Sequence, residues 1–325
     1  MPNAIEIRGV TKTFGTKFAV KDLDLTIPEG SLYAFIGPNG AGKTTTIRMI
    51  MSILFPDSGE ISVLGKKSAV ESKDRIGYLP EERGIYRKMK VGAFLNYMGK
   101  LKGMDSGPLD KTVKAWLSRV GLAETYRKKC EELSKGMQQK VQFISAIIHK
   151  PDLIILDEPF SGLDPVNRRL LRQLIEELRG DGRTIIFSTH AMFEAEQLCT
   201  HLFMIHRGLK VLDDTLTAVL NAYDPRSIEI EPLAALSHVD PAIFRGIPGV
   251  VEARMGGASI ELSLDESGDA GKVMARAAEL CPVRRIEIKR PSLEDIFIRL
   301  VGGEAESLRD ELAGAGLAET TKGRA

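Results

Sequence analysis

The sequence predicts an α/β protein with a mixed sheet core, an inserted helical subdomain and a second, small α+β domain. A glycine-rich segment at residues 37–44 follows a short apolar run and precedes a segment of helical pattern. Two further apolar runs, at residues 153–156 and 185–187, are typical of buried parallel strands. A change of composition near residues 221–225 marks the boundary between the two domains.

The first strands differ in pattern from the central ones. Residues 4–10 and 61–64 alternate between apolar and polar side chains, which predicts a half-buried antiparallel sheet at the N-terminal edge of the core. A helical stripe separates the two apolar runs of the core, so that strand, helix and strand form a doubly wound unit. The stripe consists of Leu170, Leu171, Leu174, Ile175 and Leu178.

Residues 85–150 contain helical patterns and no convincing strand, which predicts a helical subdomain inserted into a first domain of residues 1–221. Residues 222–301 predict a small α+β domain with the ferredoxin-like element order, closed by a helix at residues 291–301. Its predicted strands are residues 227–231, 259–264 and 285–289. Residues 302–325 are rich in Ala, Gly and Glu, a composition that predicts a flexible tail.

Composition and charge argue against several classes of function. The 325 residues include 45 Lys and Arg and 44 Asp and Glu, so the overall charge favours no nucleic-acid partner. No apolar run approaches the ~20 residues needed to cross a bilayer, and the N-terminus lacks the pattern of a signal peptide. The scattered Cys130, Cys199 and Cys281 do not suggest disulfides or a zinc site. These features predict a cytoplasmic protein.

The glycine-rich segment is a complete phosphate-binding loop. Glycines allow backbone N–H groups to close around phosphate oxygens, and the helix that follows directs its N-terminus at the same anion. Lys43 can reach the β- and γ-phosphates of a nucleotide, and Thr44 offers a hydroxyl to Mg²⁺. The strand–turn–helix context makes nucleotide binding the first functional prediction.

Two acids follow the apolar run at residues 153–156. Asp157 is placed to hold Mg²⁺ through its water shell, because a hard cation prefers carboxylate oxygen. Glu158 is placed to polarise a water for attack on the γ-phosphate. Two acids at the end of a strand are common on protein surfaces. After a buried strand in a chain with a phosphate-binding loop, however, they predict nucleotide hydrolysis.

Three further segments complete a known pattern. Residues 133–139 read Leu-Ser-Lys-Gly-Met-Gln-Gln and open a helix, residues 161–165 read Ser-Gly-Leu-Asp-Pro, and His190 ends a predicted strand. With the phosphate-binding loop and the acid pair in this order, residues 4–220 resemble the ATP-binding cassette (ABC) ATPases. The resemblance implies a P-loop cassette fold, ATP and Mg²⁺ as ligands, and a role for each matching residue.

Within one cassette, the resemblance implies that Phe14 stacks on adenine and that Glu158 is the general base. It implies that His190 contacts the γ-phosphate and that Thr44 and Asp157 lie at the Mg²⁺ ion. The phosphates would be held by Gly37, Pro38, Asn39, Gly40, Ala41, Gly42, Lys43, Thr44 and Thr45.

The resemblance also implies a second cassette, either a copy of this chain or a paralogue. In the family two cassettes meet head to tail, so Ser134 and Gly136 would bind the γ-phosphate of ATP held by the partner. Asp164 would help to couple the two sites. A two-fold arrangement of this kind builds two identical sites at once.

Two positions depart from the family's usual pattern. Lys135 stands where glycine is commonest and adds positive charge near the phosphates. Glu81 stands where the family usually has a glutamine that contacts Mg²⁺ and the attacking water; a carboxylate can ligate Mg²⁺ but donates no hydrogen bond when ionised. Residues 78–84 and the ending Pro-Ser-Leu-Glu-Asp-Ile-Phe at residues 291–297 resemble bacterial exporter ATPases, including those of sodium efflux and antibiotic export.

Three functions compete at this point. In the first, the chain is the ATPase subunit of an exporter, lies at the inner face of the membrane and contacts a separate permease through residues 81–101. In the second, it is a non-transport ABC ATPase acting on ribosomes or nucleic acid; the single phosphate-binding loop and near-zero net charge disfavour this alternative. The third, a GTP-binding switch, lacks an Asn-Lys-x-Asp motif.

Overall fold

The computed structural model describes residues 2–82, 84–223, 226–235, 239–257, 259–266 and 268–302, so Arg83 and the predicted tail from residue 303 lie outside the described residues. The chain divides into two compact units, and the division falls between Leu216 and Thr217. Each unit has its own sheets and its own apolar core.

The first unit begins with a three-stranded antiparallel sheet. Its strands are β1 (Asn3–Phe14), β2 (Lys17–Pro28) and β4 (Ser58–Val63), and β1 lies in the middle. The alternation predicted for β1 holds from Ile5 to Arg8, where Ile5 and Ile7 are buried and Arg8 is exposed. A shift of register between Ile7 and Val10 then interrupts it. These strands form a sheet of their own rather than an edge of the main sheet.

The main sheet of the first unit has six strands in the order β5-β6-β7-β3-β8-β9. Its strands are β3 (Leu32–Ile36), β5 (Ile76–Leu79), β6 (Leu153–Asp157), β7 (Thr184–Thr189), β8 (His201–His206) and β9 (Leu209–Thr215). The first five in that order are parallel, and β9 pairs with β8 in the antiparallel sense. Every residue of β3, β6 and β7 is buried, which explains their continuous apolar sequences. The predicted mixed α/β core is therefore confirmed.

Helices cover this sheet and form the inserted region. They are α1 (Lys43–Ile50), α2 (Val91–Leu101), α3 (Ser106–Arg119), α4 (Lys135–Ile147), α5 (Pro165–Gly180) and α6 (Met192–Glu196). A further helix, α7 (Leu216–Ala222), begins at the boundary between the two units. Helices α2, α3 and α4 occupy the stretch between β5 and β6, where only helical patterns occur in the sequence. Among the described residues, no helix is both long enough and apolar enough to span a bilayer.

Helix α4 and strand β5 are in close contact. A Cβ atom on Gly77 would lie 2.1 Å from the carbonyl oxygen of Ala146, so this position requires glycine. Nearby, His149 donates a hydrogen bond from Nε2 to the oxygen of Ile76, which also accepts one from Lys102. Burial, and secondly the Lys102 cation, lower the pKa of His149 to about 4, so the imidazole is neutral at pH 7.

The second unit contains a four-stranded antiparallel sheet in the order β11-β12-β10-β13. Its elements are β10 (Ser227–Pro232), β11 (Val250–Gly256), β12 (Ser259–Leu264), α8 (Ala270–Leu280) and β13 (Val283–Lys289), with a 3-10 helix at Pro241–Gly246. The sequence predicts three of these strands, and β11 is the one without a predicted counterpart. This strand lies at the sheet edge, and only its Ala253 is buried, so its sequence lacks the alternation of a half-buried strand.

A helix at residues 293–302 ends the described chain. The Asp295 backbone N–H donates to Ser292 Oγ, and the Ser292 hydroxyl donates to Asp295 Oδ2 at 2.6 Å. Leu293 and Ile296 are buried on one side of this helix. The Pro-Ser-Leu-Glu-Asp-Ile-Phe ending therefore acts structurally as a capped helix start with an apolar face.

Candidate active site

The phosphate-binding loop joins β3 to α1 at the carboxyl edge of the parallel strands. Gly42 has a φ of 119°, and a Cβ atom there would lie 2.5 Å from the carbonyl oxygen of Ala19. No side chain caps the N-terminus of α1, so its first N–H groups are not claimed by a capping residue. The Lys43 ammonium donates to the carbonyl oxygens of Gly37 at 2.6 Å and Pro38 at 3.3 Å, which holds the loop closed around the amine.

Asp157 ends β6 and is fully buried. Its Oδ1 accepts a short hydrogen bond from Ser188 and a longer one, at 3.4 Å, from Thr44 Oγ1. Its Oδ2 is buried without a hydrogen-bond partner. A buried carboxylate oxygen with no donor is costly unless a cation or water satisfies it, so this corner of the site has the chemistry of a cation ligand.

Glu158 follows directly and is only 9% exposed. Its Oε1 accepts a hydrogen bond from His190 Nδ1 at 3.0 Å and lies 4.0 Å from Lys43 Nζ. Its φ of 50° is a left-handed conformation, which costs a residue with a side chain on the order of 1 kcal/mol. The Glu158 backbone N–H donates to Ser188 Oγ at 3.0 Å, a contact that supports this conformation.

Ser188 is a site residue that the sequence analysis missed. Its hydroxyl contacts both acids, and the parallel register of β6 and β7 places it opposite Asp157. The Ser-Thr pair before His190 was the available signal, because the carboxyl ends of neighbouring parallel strands meet at one edge of a sheet.

Lys43 is the cation of this cluster and is 6% exposed. Burial lowers its pKa, while the negative charges of Glu158, Asp157 and Glu81 act in the opposite direction. Residues 39–45, Glu81 and Glu158 line a cavity of about 210 Å³ together with Ala19. The structure therefore brings together the phosphate-binding loop and the two acids Glu81 and Glu158, which are far apart in the sequence.

Other predicted site residues lie away from this cavity. Ser134 is exposed and caps α4, since its Oγ accepts a hydrogen bond from the Met137 N–H at 3.3 Å. Asp164 caps α5 in the same way, with Oδ1 3.0 Å from the Asn167 nitrogen, and these hydrogen bonds lower its pKa. Gly136 is half-buried, and a Cβ atom there would have no neighbour closer than 3.5 Å. None of the three lines the cavity formed by the phosphate-binding loop.

Phe14 ends β1 and is 55% exposed. Asp57 holds the strand end beside it, accepting from the Thr13 N–H at 2.7 Å and from Lys12 Nζ at 2.6 Å. The Lys12 hydrogen bond is the main reason that the pKa of Asp57 falls to about 2. The Lys12 ammonium also lies 5.8 Å from the centre of the Phe14 ring. The Phe14 ring is therefore exposed at the end of a strand that the hydrogen bonds of Asp57 hold in place.

Comparison with known proteins agrees with this geometry. Residues 20–161 match the family model described as ABC transporter, and residues 215–301 match that of the C-terminal domain of DrrA1-3-like ATP-binding proteins. The chain is 41% identical to an uncharacterized ABC transporter ATP-binding protein, YhaQ, of Bacillus subtilis (strain 168), over 93% of this chain and all of that protein.

Relatives with more specific names are similar over nearly the same length. Identity is 33% to Nod factor export ATP-binding protein I of Rhizobium sp. (strain N33), over 93% of this chain and 98% of that protein. It is 29% to the linearmycin resistance ATP-binding protein LnrL of Bacillus subtilis, over 94% and 100% of the two chains.

A solved structure described as the ATP binding subunit of an ABC transporter superposes with a TM-score of 0.63. It is 27% identical, and the match covers 68% of this chain and 93% of that one. The chain therefore belongs to the ABC transporter ATP-binding proteins, the subunits that bind and hydrolyse ATP to drive transport.

Proposed function

We propose that this chain powers an exporter, in which two cassettes enclose two MgATP molecules and move a separate permease. The observation that carries the proposal is the cluster in which Glu158 lies between Lys43 and His190 beside the phosphate-binding loop. Export is supported by the names of relatives, which include a Nod factor export protein and a linearmycin resistance protein.

ATP binding begins at the phosphate-binding loop. The Lys43 ammonium exchanges the carbonyl oxygens of Gly37 and Pro38 for phosphate oxygens, which as anions are the stronger acceptors. The uncapped N–H groups at the start of α1 point at the same phosphates. The exposed ring of Phe14 is available to stack on the adenine.

Asp157 and Thr44 would hold the Mg²⁺ that accompanies ATP, with Glu81 as a further oxygen ligand. They fit this ion because Asp157 Oδ2 is buried and unpartnered, and because their donor atoms are oxygens. When bound, the ion supplies positive charge at the β- and γ-phosphate oxygens. Ser188 orients the Asp157 carboxylate through its hydrogen bond to Oδ1.

Hydrolysis then depends on Glu158 and His190. The Glu158 carboxylate accepts a proton from the attacking water, and His190 fixes that carboxylate by donating from Nδ1. The imidazole is exposed, so its second nitrogen, Nε2, is available to contact the γ-phosphate. The strained backbone at Glu158, supported by Ser188, holds the carboxylate in place before ATP arrives.

The remaining site residues support a second cassette. Ser134, Gly136 and Asp164 lie outside the chain's own cavity, at or near the exposed N-termini of α4 and α5. We assign Ser134 and Gly136 to the γ-phosphate of the partner's ATP and Asp164 to the contact between sites. ATP then joins the two cassettes, and hydrolysis releases them.

The permease contact is assigned to residues 81–101. Tyr86, Tyr97 and Leu101 are exposed there, and the Tyr86 ring packs against the Tyr97 ring at 5.8 Å. Exposed aromatic side chains of this kind favour a protein partner over nucleic acid, for which the chain carries no excess positive charge. Through this contact the subunit lies at the inner face of the membrane.

Glu158→Gln tests the proposal most directly. The variant should bind ATP as the wild type does, hydrolyse it at least about 100-fold more slowly because the general base is lost, and accumulate as an ATP-bound dimer. Phosphate release and light scattering measure the two effects, and Glu176→Gln, an exposed change on α5, is the matched control. Rapid hydrolysis by Glu158→Gln, or a monomer at saturating ATP, would refute the proposal.

A further inference from the structure

Two buried glutamines lie on one face of α4, the helix that begins beside Ser134. Gln139 is 6% exposed and Gln142 is 3% exposed, and a separation of three residues places them on the same side of a helix. A buried amide is costly unless it is hydrogen-bonded, so the partners of these two side chains show what the helix holds.

Both side-chain amides donate to backbone carbonyls beside the acids of the candidate active site. Gln139 Nε2 donates to the oxygen of Pro159, the residue after Glu158, at 3.1 Å. Gln142 Nε2 lies 3.4 Å from the oxygen of Pro80 and 3.3 Å from that of Glu82, the two neighbours of Glu81. One helix therefore contacts both acid-bearing loops of its own cavity.

The contact of α4 with β5 reinforces this link. The missing side chain of Gly77 lets the Ala146 carbonyl approach β5, and β5 leads directly into Pro80 and Glu81. Gln142 Oε1 is buried without a hydrogen-bond partner, so the side chain carries a desolvation cost that a methionine would avoid. Only the donor end of this amide is used, and it is directed at the segment that carries Glu81.

We propose that Gln139 and Gln142 are positioning residues that connect the two ATP sites of the dimer. Their helix begins at Ser134, which meets the partner's ATP, while their amides hold the loops that carry Glu158 and Glu81. Closure of Ser134 on the partner's ATP shifts α4, and both acids move with it. The inference rests on the proposed two-cassette arrangement and makes hydrolysis at one site depend on occupancy of the other.

Gln139→Met and Gln142→Met test this in the full chain, since methionine keeps the length and removes the amide. Each variant should bind ATP with wild-type affinity but show a kcat lower by about three- to tenfold, as expected when one hydrogen bond is lost only in the working geometry. The Hill coefficient of ATP hydrolysis should fall toward one. Gln173→Met, at an exposed position of α5, is the control and should behave as the wild type.

The inference is wrong if both variants keep the wild-type kcat and Hill coefficient. It is also wrong if kcat is unchanged while the KM rises, or if ATP affinity and Tm fall in parallel with kcat, because these results indicate an ordinary packing role. A variant too unstable to assay leaves the decision to the other one. Failure of Glu158→Gln to trap a dimer would refute the proposed function itself, whereas wild-type behaviour of the glutamine variants refutes only this connection.

Discussion

Lys43→Met removes the one side-chain cation of the phosphate-binding loop while keeping most of the side-chain length. Lys43 is 6% exposed, and its ammonium lies where the loop closes on the phosphates. A hydrogen bond to a charged group contributes about 1.5–3 kcal/mol, which corresponds to roughly a 10- to 150-fold loss of affinity for ATP.

The structure places the expected loss in the lower part of that range. The ammonium donates to the oxygens of Gly37 and Pro38, so phosphate oxygens compete with these two acceptors rather than meeting an unpaired cation. We therefore expect ATP to bind about 10- to 50-fold more weakly.

Isothermal titration with a non-hydrolysable ATP analogue measures this loss without interference from turnover. Lys111→Met, at an exposed position of α3, removes the same charge from the chain elsewhere and should leave the Kd unchanged. A Kd for Lys43→Met within twofold of the wild type would show that Lys43 does not bind phosphate, and the reasoning on the loop would be refuted.

Two further predictions concern the junction between α4 and β5. Gly77→Ala should lower the free energy of unfolding by about 2–3 kcal/mol, because its Cβ would meet a backbone oxygen at 2.1 Å. The control Gly107→Ala, whose Cβ would meet nothing within 4 Å, should leave that free energy unchanged. Thermal unfolding of the two variants and the wild type measures the difference. Because the pKa of His149 is about 4 when folded and near 6.5 when unfolded, its contribution to stability is complete above pH 6.5 and is lost as the pH falls toward 4. His149→Gln should remove about 3 kcal/mol of that pH dependence in urea unfolding, because one pKa unit corresponds to about 1.4 kcal/mol. An unchanged dependence of the unfolding free energy on pH would contradict the assignment.

Much of the candidate site was predictable because each motif follows a buried strand. Lys43 and His190 come after β3 and β7, and Asp157 is the last residue of β6; the carboxyl ends of these strands meet at one edge of the sheet. The apolar runs identify these strands without any knowledge of their neighbours. The conformation of Glu158 was not predictable, because its positive φ is maintained by a contact with Ser188 on another strand.

Other features left no local signal. Strand β11 is held by pairing with β12 at a sheet edge and buries little of its own surface. Gln139 and Gln142 have the same residue type as exposed glutamines elsewhere, and they are buried where α4 meets segments distant in the sequence. The burial of the two glutamines therefore depends on contacts between segments far apart in the chain.

The amino-acid sequence by itself determined the α/β class, the order of the motifs and the residue types of the phosphate-binding loop, because periodicity and glycine placement act over a few neighbouring residues. The tertiary structure decided which of those residues share a cavity, how Glu158 is held and which helix contacts both acid-bearing loops. These depend on strand register and on close approach of distant backbones, and no short segment encodes either of them alone.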